Sequence, residues 1–387
     1  MPVHPDEGAS GVSGRIADGA EVEILARSAD GRWVKVRAPD GTTGWITRRY
    51  LSGAGAADPG TPEGPSGDSP WSSRAACEKA LAAGARLERP EGTARLGTWN
   101  VRWFPDGKPG KGQEGKGTDL AWLACVIAWS DVDVLAVQEF KQSERAQGAV
   151  TALLRSLDRH TKGSWQAAFD DCPNADAQHV GILFDQKRVK TKGATTLAAL
   201  NPHGEACKNS LRPGFALHVT FPGGLDLHFV SVHTKSGTER RSLDLRDKSL
   251  AALPEAHRAL QGVEPDADVL VAGDFNTMGC KECSPEISPD DELARTDRTL
   301  DKLPVPFRRV PAEQSCSEYH DGRGTLLDHF FASRSFAELG KETRTRVSGT
   351  CGDSACAVGP PRGPGAAQRE LSDHCPLFLD IPDRDLD

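Results

Sequence analysis

The chain has 387 residues, of which 37% are hydrophobic and 26% charged, with a formal net charge of −8. This apolar share supports a sizeable core and excludes wholesale disorder, and the length fits two domains or one large domain with an appendage. The acidic balance excludes overall charge as the means of attracting a polyanion and leaves that task to a local basic surface or a bridging cation.

The N-terminus, MPVHPDEGAS, lacks the basic-then-apolar pattern of a signal peptide. Short strands are expected at Glu21–Leu25, Trp33–Val36 and Gly44–Ile46, with Asp30-Gly31 and Asp40-Gly41 as turn signals between them. The stretch Gly31–Leu51, GRWVKVRAPDGTTGWITRRYL, resembles the bacterial SH3-like (SH3b) module through Trp33, Trp45 and Tyr50. The resemblance covers residues 3–52 and implies a small β-barrel whose partner is a cell-wall peptide. The module opens late for that family, so the native protein is expected to start upstream, with an export signal. Residues 52–70, SGAGAADPGTPEGPSGDSP, cannot bury a core and read as a linker. The expected organisation is an SH3b-like domain over 1–53, a Gly/Pro/Ala-rich linker and short helix over 54–85, and a large domain over 86–387.

In the large piece, strands are expected at Arg95–Arg102, Val132–Gln138, Val180–Asp185, Ala216–Thr220, Leu225–His233, Ala267–Ala272, Thr325–Ala332 and Cys375–Ile381. Helices are expected at Asp119–Trp129, Glu144–Leu157 and Arg240–Gln261, the last interrupted at Pro254, with Thr118 or Asp119 capping the first. Strands with helices interspersed imply an α/β sandwich. The longest apolar run, Leu120–Trp129, is far short of the ~20 residues a membrane-spanning helix needs.

Several of these strands end in polar groups. Asn100 ends LGTWN, Glu139 ends DVLAVQE, His233 ends LHFVSVH, and Asp274 and Asn276 end DVLVAGDFN. Asp328 lies in TLLDHFF, and Asp373 and His374 open SDHCPLFLDI. One acid after a strand is normally a solvated loop residue. Six placements in one domain, each beside a run that should be buried, require pairing or a metal ion. Oxygen donors without thiolates suit a hard cation such as Mg²⁺, with Mn²⁺ or Ca²⁺ as alternatives, and two histidines near carboxylates suit proton transfer.

The motifs WNV, QE, SVH, GDFN, LDH and SDHCPL occur in the order found in the endonuclease/exonuclease/phosphatase superfamily, which this set resembles over residues 94–382. The resemblance implies a DNase I-like four-layer fold, with two packed mixed β-sheets flanked by helices and the site at one edge. It further implies a Mg²⁺-dependent phosphodiester hydrolase with a nucleic acid as expected substrate. Sphingomyelin or an inositol phosphate is the alternative substrate, and a catalytically inactive SH3b-linked binding protein the second alternative. By the same resemblance Glu139 is the main metal ligand with Asn100 beside it, and Asp373 lies near the metal or a second metal position. Asp274 and Asn276 position water and phosphate. His374, oriented by Asp328, is general base or phosphate contact, His233 acts from the opposite side, and Arg212 binds a phosphate oxygen. Whether Asp274 or His374 takes the water proton stays open. Some relatives carry a Glu that pairs with the first histidine; Gln178 and His179 stand there here, which leaves the partner of His233 undetermined.

The loop Phe104–Gly117, with Lys108, Lys111 and Lys116, reads as a solvated loop or a backbone contact, and RRSLDLRDK, with Arg240, Arg241, Arg246 and Lys248, as a second basic face or a solvated helix face. The ten cysteines point to an oxidising compartment. Cys125 and Cys375 sit in apolar runs and are expected as core thiols. Disulfides are expected at Cys172–Cys207 and as local pairs among Cys280, Cys283, Cys316, Cys351 and Cys356. A zinc site from the last five is the competing arrangement, although CGDSAC lacks the usual ligand spacing. A secreted or envelope-associated monomer is the resulting expectation.

Overall fold

The computed structural model describes residues 2–6, 12–17, 20–27, 33–47, 69–107, 117–320, 323–357 and 366–386. Tyr50, the Asp30-Gly31 turn, most of the proposed linker and the lysines of the 108–116 loop lie outside the described residues. The chain divides into two compact units, Met1–Glu63 and Gly64–Asp387.

In the small unit, β1 (Pro2–Val3) pairs with β2 (Gly14–Arg15), and β3 (Glu23–Arg27), β4 (Trp33–Arg37) and β5 (Thr43–Thr47) form an antiparallel sheet. The period-2 pattern of WVKVR buries Val34 and Val36 against Ile46, Val3 and Ile16. Asp40 Oδ1 accepts the Thr42 N–H at 2.9 Å and closes the β4–β5 turn, where Gly41 takes a φ of +85°.

The large unit holds two six-stranded mixed sheets. The first runs, in spatial order, β18 (Arg346–Val347), β19 (Leu377–Pro382), β6 (Thr93–Phe104), β7 (Val134–Phe140), β9 (His179–Asp185) and β8 (Trp165–Phe169). The second runs β10 (Lys190–Leu197), β11 (Gly214–Thr220), β12 (Asp226–His233), β13 (Val269–Asp274), β17 (Asp328–Ser333) and β14 (Phe307–Val310). A separate hairpin joins β15 (Glu318–His320) to β16 (Arg323–Thr325). The neighbours β6–β7 and β12–β13 are parallel; the other pairs are antiparallel.

Alternation along each strand produces the layers. Leu96, Ala136 and Ile182 of the first sheet meet Phe229, Leu270 and Phe330 of the second in one core. The outward residues Trp99, Val101 and Val137 pack on α2 (Leu120–Trp129) and α3 (Glu144–Thr161). On the far side Val230, Val232 and Val271 pack with α5 (Leu253–Gln261) and Leu250 of α4 (Arg240–Ala251). The result is the helix–sheet–sheet–helix order of the DNase I-like fold. Asp119 Oδ1 caps α2 by accepting from Ala121 and Trp122 N–H at 3.0 Å. The long helix expected over Arg240–Gln261 is two helices, broken just before Pro254, which cannot donate within a helix. α6 (Pro289–Lys302) went unread, although Ser288 and Asp291 form a capping box before it.

All ten cysteines are paired: Cys77–Cys125, Cys172–Cys207, Cys280–Cys283, Cys316–Cys356 and Cys351–Cys375. Two expectations are corrected. Cys125 and Cys375 are not thiols, because α1 (Arg74–Ala82) and the short helix Gly349–Asp353, which carries Cys351, bring partners against their apolar runs. The zinc arrangement also fails, since Cys280, Cys283, Cys316, Cys351 and Cys356 are all consumed in disulfides. Arg246 is corrected too. It is 2% exposed, bound bidentately to Glu292 at 2.6 and 2.9 Å, and presents no basic face.

Candidate active site

His233, Asp274 and Asp328 stand side by side because their strands are neighbours. The pairing register places His233 opposite Asp274 and Asp274 opposite Asp328. The other sheet faces them with Asn100, and His374 precedes its strand β19. Asn100 Nδ2 donates to Asp274 Oδ2 at 3.0 Å and to Glu139 Oε1 at 3.2 Å, so one amide joins groups of both sheets.

Glu139 follows the inward-facing Gln138 and by strand alternation should turn outward. Its φ of +66° and register shifts on both sides of β7 break that alternation. The Trp103 N–H then fixes Glu139 Oε2 at 2.9 Å. Gly273 precedes Asp274 at a φ of +152°, and a Cβ there would collide with the Val232 carbonyl. Asn276, at a φ of +49°, folds back so that its N–H donates to Asp274 Oδ1 at 2.9 Å and its Nδ2 to the Thr234 carbonyl at 3.2 Å.

His374 Nδ1 meets Asp328 Oδ2 at 2.9 Å, leaving Nε2 directed at Asp274 Oδ2, 3.7 Å away. Ser317 Oγ donates to the same Asp328 oxygen at 2.7 Å. His233 Nε2 lies 3.4 Å from Asp274 Oδ2 and 3.9 Å from Glu139 Oε1. The carboxylates facing His233 are thus Asp274 and Glu139. His179, from the segment where relatives carry the pairing Glu, is bound to Asp170 at 2.8 Å. Arg212 donates to the Thr234 carbonyl at 3.1 Å and approaches Gln178 at 3.5 Å, and the Glu139 and Asp274 carboxylates act on its charge. Asp373 approaches Arg102 Nη1 at 4.0 Å.

Burial and mutual charge set the protonation states. Burial pushes Asp274 up to about 7, against the lowering effect of His374. Burial opposes charge on His374, but Asp328 and Asp274 outweigh it and hold the imidazole well above its ordinary value. Burial, with Arg212 and His374 adding repulsion, drives His233 well below its ordinary value. Glu318, which no motif marked, is pushed by burial up to about 8 and lies among the charges of His374, Asp373, Asp274 and Asp328. It stands two residues after Cys316 with no motif around it, so the sequence carried no signal for it. Ser317 and Arg102 were missed as well.

A DNase I-like sandwich carrying these groups at one edge supports a hydrolase. The profile of the Endonuclease/Exonuclease/phosphatase family matches residues 97–374, well over half of the chain, and the chain belongs to that family. A Bacterial SH3 domain profile matches residues 4–52. Among solved structures, the chain is similar to an endonuclease/exonuclease/phosphatase from Bacteroides vulgatus, with 12% identity, a TM-score of 0.51, and 76% of this chain and 99% of that one covered. A humanized D. rerio TDP2 gives 17% identity and a TM-score of 0.47, covering 75% and 99%. The human Nocturnin catalytic domain gives 14% and 0.45, covering 76% and 96%. At these identities the likeness is one of fold. The search of curated proteins finds no match.

Enzymes of this family generally use divalent metal ions. The residues present fit one. Asn100 Oδ1 is buried with no hydrogen-bond partner among the described residues, beside the Glu139 carboxylate, and the surrounding donors are oxygens and imidazoles. Asp274, Asp328 and His374 also bring candidate ligand atoms within 4.8 Å of one another.

Proposed function

We propose that this chain is a Mg²⁺-dependent phosphodiesterase that cleaves nucleic acid, a DNase I-like nuclease working outside the cytoplasm. The carrying observation is the meeting of Asn100 and Glu139 from one sheet with His233, Asp274 and Asp328 from the other. Asn100 and Glu139 hold the cation in this reading, and their oxygen donors favour Mg²⁺, with Mn²⁺ or Ca²⁺ able to use the same atoms. When bound, the ion supplies charge stabilisation at the phosphoryl oxygens.

Asp274, held near neutrality in its proton affinity and aligned by the Asn276 N–H, takes the proton of the attacking water. His374, kept cationic by Asp328, contacts a phosphoryl oxygen through Nε2. His233, neutral and opposite, binds the phosphate from its own side, and Arg212 fixes the Thr234 turn that carries it. Asp373 borders this set beside Arg102.

No long apolar loop in the sequence offers a membrane-docking hairpin for a lipid substrate. That favours nucleic acid over sphingomyelin. Five disulfides favour a secreted or envelope location, where the SH3b domain would hold the enzyme on cell-wall peptide.

The test is an activity panel with plasmid DNA, RNA, sphingomyelin, an inositol phosphate and a generic phosphodiester, each with Mg²⁺ and with EDTA. Cleavage of DNA or RNA that EDTA abolishes supports the proposal. Turnover that survives EDTA overturns the metal assignment. Preference for the lipid or inositol phosphate overturns the substrate. No turnover on any phosphoester makes the chain a binding protein.

A further inference from the structure

His233 faces two carboxylates with one ring nitrogen. Its Nε2 lies 3.4 Å from Asp274 Oδ2 and 3.9 Å from Glu139 Oε1. A lone pair aimed at two acceptors would be repelled, so Nε2 carries the ring hydrogen. In that tautomer Nδ1 is an acceptor. It is buried, and none of the described residues donates to it. Gln178 and His179 do not serve it: Gln178 Oε1 faces Arg212 Nη1 at 3.5 Å, and His179 is bound to Asp170 and the Asn174 carbonyl.

Arg212 has the opposite deficit. Its Nη2 donates to the Thr234 carbonyl, which also accepts from Asn276 Nδ2 at 3.2 Å. Those two bonds use both lone pairs of that oxygen. Arg212 Nε is buried and has no acceptor among the described residues. A buried donor and a buried acceptor that lack partners are each costly.

Arg212 and His233 line one cavity of about 10 Å³, together with Thr234 and Ser249. That is room for one water and for no larger ligand. The water's oxygen accepts the Arg212 Nε–H, and one of its hydrogens goes to His233 Nδ1. The hydroxyls of Thr234 and Ser249 donate to the carbonyls of Phe275 and Leu245 and keep lone pairs for its second hydrogen. A single molecule thus meets every polar group on the wall.

We propose that this cavity binds one water, through which Arg212 orients His233. Arg212 is then a positioning residue, and the bridge holds the His233 Nε2–H toward the phosphate. This rests on the reading of His233 as a phosphate-binding group.

The test joins a high-resolution crystal structure of the full chain to ¹⁵N spectra of its histidines. One water within about 3.2 Å of both Arg212 Nε and His233 Nδ1 is expected, with the His233 hydrogen on Nε2. Arg212→Lys keeps the charge but removes the Nε–H. Val232→Ile keeps both polar groups and fills the cavity, which Val232 also lines. Each should shift His233 toward a mixture of tautomers and lower kcat by up to about 100-fold. Val232→Ile decides the matter if Arg212→Lys fails to fold. A dry cavity, a His233 hydrogen on Nδ1, or an unchanged His233 spectrum in the variants overturns the proposal. Density and spectra are read without turnover, so they judge this site even if the chain cleaves no nucleic acid.

Discussion

Asn100 Nδ2 and Asp274 Oδ2 lie 3.0 Å apart although they belong to different sheets. This bond ties the two halves of the sandwich together at its catalytic edge. The same amide reaches Glu139, while its own Oδ1 stays unpartnered. Asn100→Ala removes an oxygen donor and frees both carboxylates. Activity at fixed Mg²⁺ should fall by about 10–100-fold, with the half-saturating Mg²⁺ concentration moving upward. Unchanged metal dependence in steady-state assays would take Asn100 out of the ligand set.

His374 depends on Asp328 for orientation and charge. His374→Ala should lower kcat by on the order of 10²–10⁴. Asp328→Asn should give a smaller loss, because Ser317 still anchors the replaced side chain from the other side. A near-normal rate for His374→Ala, with circular dichroism unchanged, would remove it from the reaction.

Arg246 holds the segments that follow both catalytic strands. It donates to the carbonyls of Lys235, Gly237 and Gly279 at 3.1, 2.8 and 3.0 Å while paired with Glu292. Arg246→Met strands a buried carboxylate and should cost about 3–5 kcal/mol. Arg246→Met combined with Glu292→Met should recover part of that loss in denaturant unfolding. A double variant no more stable than the single one would contradict the pairing as the source.

The pair His179–Asp170 gives a signed pH dependence. Burial opposes charge on His179, but the Asp170 hydrogen bond and charge overcome it, so its pKa is raised in the folded state. A raised folded pKa means the added stability is complete below the unfolded value, ~6.5, and fades as pH rises through the folded one. Asp170→Asn should therefore destabilise more at pH 6 than at pH 9. A Tm gap between wild type and variant that widens with pH would refute this.

Much of the fold was legible because burial imposes period. WVKVR, DLHFVSV and VLVAG announce strands through alternating or continuous apolar residues, and Pro254 announces the break between α4 and α5. The polar strand ends stood out because acids and imidazoles beside buried runs are costly without partners. The motif order carried the family. Edge strands such as KTKGATTL of β10 were not legible, since one solvated face removes most of the apolar signal.

Pairing of the cysteines was beyond the sequence for a different reason. Cys125 looks like any core thiol within LAWLACVIAW, and only the docking of α1 on α2 supplies Cys77 as its partner. Arg246 misled in the same way, because charge in a sequence does not show whether a carboxylate waits in the interior.

The amino-acid sequence by itself determined the sandwich class, the family and the chemical types at the strand ends, since local period and motif order are written along one dimension. The tertiary structure alone decided which side chains face one another. The left-handed turn at Glu139, the Asn100 bridge between sheets, the place of Glu318 beside His374 and the meeting of Arg212 with His233 at one cavity all arise from contacts between segments far apart in the chain. Such contacts exist only once two sheets have packed and their registers are set, because a side chain's partners depend on the neighbouring strand and not on its own.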